Sequence, residues 1–167
     1  MPPSPIVEIP FDVERVNGRN LRLYAWAMME FKHPKTRKML KYKIKFQIDT
    51  GADSTTVFNR DMRRLEEIGL SYEHVPELPP NEWSAGVLGE RLPTYVVEDV
   101  TLTFSAVDGK AHSENLQKLR IVDIPQRENN DPYQCHALLG MVVLERFVVV
   151  FDGPSASASM MLPISPS

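Results

Sequence analysis

Cysteine is almost absent from these 167 residues. Cys135 stands alone, so no disulfide can close within the chain, and the class of small secreted scaffolds held by several bridges is excluded. Charge of one sign is also missing: 19 Lys and Arg against 22 Asp and Glu leave a formal net charge of −3, too little to draw the chain toward nucleic acid or anionic lipid. No apolar run approaches the roughly 20 residues of a membrane-spanning helix. The first residues, MPPSPIVEIPFD, show neither the basic nor the apolar region of a signal peptide. The expectation is a cytoplasmic protein, with neither nucleic acid nor membrane as partner. No glycine-rich loop of the P-loop or Rossmann kind is present. His33, His74, His112 and His136 are scattered, without metal-ligand spacing. Cys135 and His136 are adjacent, so in an extended segment their side chains diverge and form no nucleophile–base pair.

What the chain has is period-2 alternation. KYKIKFQI (41–48) places Tyr42, Ile44, Phe46 and Ile48 on one face and Lys41, Lys43, Lys45 and Gln47 on the other, the pattern of a half-buried strand. LRLYAWAMMEF (21–31) alternates too, and HPKTRK between them reads as a hairpin connection. The lysines of this region are expected to form a solvated face with no aromatic platform on the same side. Asn59 is placed as the N-cap of a helix carrying Met62, Leu65 and Ile68 at helical spacing, with Gly69 as its stop. TYVVEDVTLTFSAV and ENLQKLRIVDI read as two strands joined around Asp108-Gly109. ALLGMVVLERF reads as a short buried helix, and FVVVF as a strand. Length predicts one domain, mostly β with one or two short helices. Residues 1–20 form an N-terminal segment, 21–153 the domain proper, and 154–167 a Ser/Pro-rich tail expected to be mobile except around MMLPI.

KFQIDTGADSTTVF (45–58) carries the most specific chemistry. Asp49 ends an alternating strand. Gly51, without a Cβ, allows a tight turn and close approach of a second backbone, and Thr50 offers a hydroxyl able to tie two such loops together. One carboxylate can activate water for attack on a peptide carbonyl only if a second group supplies a proton. Two carboxylates about 3 Å apart do this, because they cannot both ionise and share one proton. The chain holds no second Asp-Thr-Gly. Phe151-Asp152-Gly153 lacks the hydroxyl residue and reads as a turn.

The stretch DTGADSTTV resembles the active-site signature of retropepsin-like aspartic proteases. Two further segments are similar to that family: ALLG (137–140), which matches its hydrophobic-hydrophobic-Gly element, and WSAGVLGERLP, which stands in the chain order of its flap. The resemblance implies a retropepsin-like single lobe, a closed β-barrel or sandwich, working as a two-fold symmetric homodimer. It implies Asp49 as the catalytic carboxylate, Thr50 as the cross-subunit contact and Gly51 as the turn. Ala52, Asp53 and Ser54 would line the cleft. Trp83, Ser84, Ala85, Gly86, Val87, Leu88 and Gly89 would form the flap over an extended polypeptide substrate, and Leu138, Leu139 and Gly140 would support the loop from beneath. No metal or other cofactor is needed. The terminal strands IVEI (6–9) and MMLPI (160–164) are the expected dimer contacts. One departure stands out: retroviral members commonly carry Arg after the Gly matching Gly140, paired with the Asp matching Asp53, whereas here Met141 and Val142 follow. Arg19 and Arg146 are candidate partners for Asp53. The alternative function is a non-proteolytic module of the same fold that dimerises or binds extended peptides.

Overall fold

The computed structural model describes residues 6–86, 88–129 and 131–163. In chain order its strands are β1 (Ile6–Val16), β2 (Asn20–Lys32), β3 (Met39–Ile48), β4 (Thr56–Val57), β5 (Ser84–Ala85), β6 (Arg91–Leu92), β7 (Thr94–Ser105), β8 (Ala111–Val122), β9 (Ala137–Leu139), β10 (Val148–Asp152) and β11 (Ser157–Pro163). Two α-helices accompany them, α1 (Asn59–Glu67) and α2 (Met141–Leu144). The alternating segments became strands because period-2 patterning lets one face bury while the other stays wet. In β3, Ile44 and Phe46 are fully buried while Lys41 and Lys43 are exposed.

Nine strands join in the order β10-β11-β1-β2-β3-β9-β4-β8-β7, and a further pairing of β2 with β7 closes six of them, β2-β3-β9-β4-β8-β7, into a barrel. Closure removes open edges from those six strands. The barrel is filled by Met29, Phe31, Ile44, Phe46, Val57, Leu102, Phe104, Leu119, Ile121 and Leu139, and Met62 and Leu65 of α1 join the same core. Midway along β7 the alternation is interrupted, with Val96 and Val97 both buried and Glu98 and Asp99 both exposed, before the even-numbered residues are buried again from Val100. Asp99 sits at this interruption with φ +54, a left-handed conformation that Asp tolerates better than most residues.

Several expectations change. Asn59 is not the N-cap: Phe58 holds that position. The Asn59 side chain instead donates to Asp123 Oδ1 (2.7 Å) and accepts from the Ile124 amide (2.8 Å), tying the start of α1 to the segment after β8. Ile68 is 42% exposed, because α1 ends at Glu67 and the chain turns away through Gly69 at φ +104. Ala137–Leu139 is a strand, not the start of a helix, since it pairs with both β3 and β4; the helix begins only at Met141. In the tail the strand begins at Ser157, three residues before MMLPI, and pairs with β1 on one side and β10 on the other. Ile164 lies outside the described residues.

The lysine face also differs from expectation. Lys43 Nζ sits 5.1 Å from the Trp26 ring and Lys45 Nζ 4.5 Å from the Tyr24 ring, so aromatic rings do share that side. The even-numbered residues of β2 face outward as its odd-numbered ones fill the core. Lys45 also pairs with Glu14, and Lys41 with Glu30, so the charge of the patch is largely offset within the chain. Among the described residues, no helix is long and apolar enough to cross a membrane.

Candidate functional site

The loop after β3 is held by main-chain contacts from three directions. The Asp49 amide donates to Leu139 O (3.1 Å), extending the parallel β3–β9 pairing by one residue. Leaving β3, the chain turns through residues 50–55 and returns as β4, which lies antiparallel to β9 at Thr56–Leu138 and parallel to β8 at Thr56–Arg120. β9 is thus inserted between the two arms of the loop. That crossing arrangement needs β9 to be short and its neighbour to be very small.

Gly140 meets that need. A Cβ built there would lie 2.3 Å from Ser54 O and 2.7 Å from Ala52 O, inside any real contact distance. Its φ of −96 is open to any residue, so the glycine is required for space and not for conformation. Close approach lets the first amides of α2 reach the loop: Met141 N–H donates to Ala52 O (2.7 Å) and Val142 N–H to Asp53 O (2.9 Å). The Gly140 amide donates to Thr55 Oγ1 (3.2 Å), and Thr55 is fully buried. Buried amides need partners, and here the loop and the helix start satisfy one another.

The Asp49 carboxylate is aimed by the loop itself. Its Oδ1 accepts the Gly51 amide at 2.9 Å, and the Ala52 amide donates back to Asp49 O (3.3 Å). A Cβ at Gly51 would stand 3.2 Å from the same Oδ1, so a larger residue would crowd the carboxylate. Asp49, Ala52 and Ser54 are half-buried, whereas Thr50, Gly51 and Asp53 are exposed. The loop therefore exposes Thr50 and Asp53, with Asp49 half-buried beside them. Asp152 serves the turn after β10, its Oδ1 accepting the Ser155 amide (3.3 Å).

Asp53 makes no ion pair among the described residues. Arg146, one expected partner, is instead paired with Glu114, a buried carboxylate that also meets His112. Arg19 lies in the exposed turn between β1 and β2 and reaches no carboxylate among the described residues.

β5 and β6 form a separate two-stranded hairpin, pairing Ser84 with Leu92 and Ala85 with Arg91. Its turn closes through Gly86 N–H to Glu90 O (2.7 Å) and Gly89 N–H to Gly86 O (3.0 Å), with Gly89 at φ +79. Leu88 is 79% exposed at the tip; Val87 lies outside the described residues. The base is anchored more firmly. Trp83 Nε1–H donates to Leu78 O (2.8 Å), the Ser84 amide donates to Thr94 Oγ1 (2.9 Å), and Arg91 donates to Trp83 O (2.9 Å). Arg120 links hairpin to loop: its amide donates to Thr55 O (3.2 Å) and its guanidinium to Ser84 Oγ (3.4 Å).

Thr55, Thr94 and Arg120 were not singled out from the sequence, although each carries a contact that positions the site. The signal for Arg120 was a charged residue inside the apolar run LRIV; the two threonines carried none. Cys135 and His136 do not cooperate. Burial pushes the Cys135 thiol up, toward the protonated form. Burial, with Arg60 beside it, pulls His136 down, and its ring packs on Tyr24 and contacts Arg60. Two cavities, of about 550 and 420 Å³, lie elsewhere on the barrel, and neither includes residues of the Asp49 loop or the β5–β6 hairpin. No group of three or more His, Cys, Asp and Glu is placed to hold a metal among the described residues. No known family model matches the chain, and no curated protein matches it.

Proposed function

We propose that the chain is an aspartic endopeptidase of the retropepsin type, active as a homodimer in which the Asp49 carboxylates of two copies share one site. The observation that carries this reading is the loop geometry. Asp-Thr-Gly hangs between β3 and β4, with β9 inserted between the arms and the Gly140 backbone pressed against the loop carbonyls. So much backbone constraint around one half-exposed carboxylate is more than a turn requires. Rigid placement matters for general acid–base chemistry, where small displacements of the acting group are costly.

In the paired site, one carboxylate takes a proton from water while the other, protonated, donates to the peptide carbonyl oxygen. Thr50, exposed beside Asp49, supplies the hydroxyl contact between the two loops. The β5–β6 hairpin, anchored at its base and exposed at its tip, closes over an extended polypeptide, excludes water and adds main-chain hydrogen bonds. Asp53, with its carbonyl held by Val142 and its carboxylate in solvent, is free to meet substrate amides. Glycine in the hairpin is consistent with this role, since Gly89 takes a left-handed φ.

The test is cleavage of an unstructured protein substrate between about pH 4 and pH 7. Wild type is expected to cut, and Asp49→Asn, which keeps the shape but cannot serve as base, is expected not to. Equal cleavage by both removes Asp49 from the mechanism. Absence of cleavage by either, with a dimer of verified mass, favours the non-proteolytic peptide-binding module.

A further inference from the structure

β2 and β7 separate beyond Glu30. They pair at Met28–Thr103, Met29–Leu102 and Glu30–Thr101, and the same register carried two residues further would set Lys32 opposite Asp99. The strands diverge instead, where Asp99 takes its left-handed φ of +54. Further back along β7 another segment fills the open side: the Leu78 amide donates to Thr94 O (2.8 Å) and the Val96 amide to Pro76 O (3.0 Å). Between Val96 and Thr101, β7 pairs with β8 at Val97, Glu98 and Val100. On its other side that stretch pairs with no strand among the described residues. An unpaired length of strand is a template for an extended chain.

The gap is the larger of the two cavities, about 550 Å³, a size typical of ligand sites. Buried Phe31, Val96 and Val97 and half-buried Leu78 give it an apolar floor. Its charges are sorted by side. Lys32 and Arg37 stand on the β2–β3 side and Glu98 and Asp99 on the β7 side. All four are exposed, and none forms an ion pair among the described residues. Two further lining residues complete the count: Glu30 is taken by Lys41, and Lys118 lies across from Glu98 on β8 without an ion pair to it. The β7 side is left net negative and the β2–β3 side net positive.

We propose that this cavity binds a short peptide with free termini. Its carboxylate lies toward Lys32 and Arg37, its ammonium toward Glu98 and Asp99, and an apolar side chain rests on the floor. The separation of charges selects this class. A nucleotide would bring phosphates against Glu98 and Asp99, and a polyamine would meet Lys32 and Arg37, whereas a zwitterion satisfies both sides. Among zwitterions, a peptide also bonds the unpaired main chain of β7, and an apolar side chain gains from burial on the floor. The site is separate from the Asp49 loop. Met39 lines the cavity at one end of β3, and Ile48, the residue before Asp49, is about 30 Å further along the strand. Peptide capture there is independent of the protease reading.

Calorimetry with the tripeptide Ala-Leu-Ala, its N-acetyl form and its C-terminal amide tests the assignment. Asp49→Asn is measured beside wild type, which separates binding from turnover of the probe. Each blocked form is expected to bind about tenfold more weakly than the free tripeptide. Lys32→Gln combined with Arg37→Gln should bring the free acid and the amide to equal affinity while keeping the penalty for acetylation. Glu98→Gln combined with Asp99→Asn should do the reverse. All four side chains are exposed and Asn accepts the left-handed φ at position 99, so the fold is retained, which circular dichroism checks. Methionine methyl resonances report the location. Met39, in the cavity, should shift on binding, while Met28, in the second cavity, and Met141, against the Asp49 loop, should not. No binding at millimolar tripeptide overturns the assignment, as do equal affinities for the free and blocked forms, or shifts at Met28 or Met141 in place of Met39. Selective binding by a protein that cleaves nothing leaves this site standing and counts against the protease reading alone.

Discussion

Gly140→Ala is the sharpest probe of the loop architecture, because it adds one methyl group where there is no space. The new Cβ would sit 2.3 Å from Ser54 O, 2.7 Å from Ser54 C and 2.7 Å from Ala52 O. All three are backbone atoms of the loop, so no side-chain rotation relieves the clash. Forcing a methyl into a packed site costs about 1–3 kcal/mol. Moving the loop away also strains or breaks the amide contacts of Met141 and Val142 with Ala52 O and Asp53 O, at about 1 kcal/mol each. The sum is about 3–5 kcal/mol, which for a chain of this size lowers the thermal midpoint by about 10 °C. Backbone conformation contributes little, because φ at Gly140 is −96. The control is Gly153→Ala in the β10–β11 turn, where a Cβ would meet only the Phe151 ring at 3.6 Å, an ordinary contact. Thermal and urea unfolding followed by circular dichroism should show Gly140→Ala strongly destabilised and Gly153→Ala within about 1 kcal/mol of wild type. Matching midpoints for the two variants would refute the packing of α2 against the loop.

Two further outcomes follow from buried groups. Thr55→Val removes the hydroxyl that accepts the Gly140 amide and should cost about 1–3 kcal/mol in urea unfolding, with Thr55→Ser recovering most of it; equal losses for Val and Ser would show that the hydroxyl is unimportant. Tyr42 donates to Asp61 Oδ1 at 2.8 Å, and burial, reinforced by the Asp61 charge, pushes its hydroxyl up to about 12. The folded value lies above the ordinary one, so the stabilisation of the neutral phenol is complete below about pH 10 and is lost as pH rises through the folded value. Tyr42→Phe should therefore lose less stability than wild type between about pH 10 and pH 12. Parallel declines in alkaline denaturation would contradict this assignment.

Local pattern determined much of this protein. Alternation in 21–31 and 41–48 set strands and their buried faces, because a strand's two faces are written in neighbouring residues. Asp108-Gly109 marked its hairpin for a similar reason: the left-handed φ of +81 at Gly109 is a property of the residue. Asp49-Thr50-Gly51 was recognisable as a tight loop bearing a carboxylate. Tertiary structure decided what those pieces touch. Asn59 looks like a cap in sequence, yet its amide is drawn to Asp123 and Ile124, more than 60 positions away. Ala137–Leu139 has the apolar run of a helix or a strand, and only the slot between β3 and β4 made it a strand. Arg146 was available to Asp53 by charge alone, but Glu114, buried on β8, took it. β10 was readable as a strand but not as an exposed edge, because exposure depends on which strands fill the neighbouring positions. Distance along the chain is the physical divide: conformational preference acts over a few residues, whereas partners for buried amides, charges and strand edges are chosen only when the barrel closes.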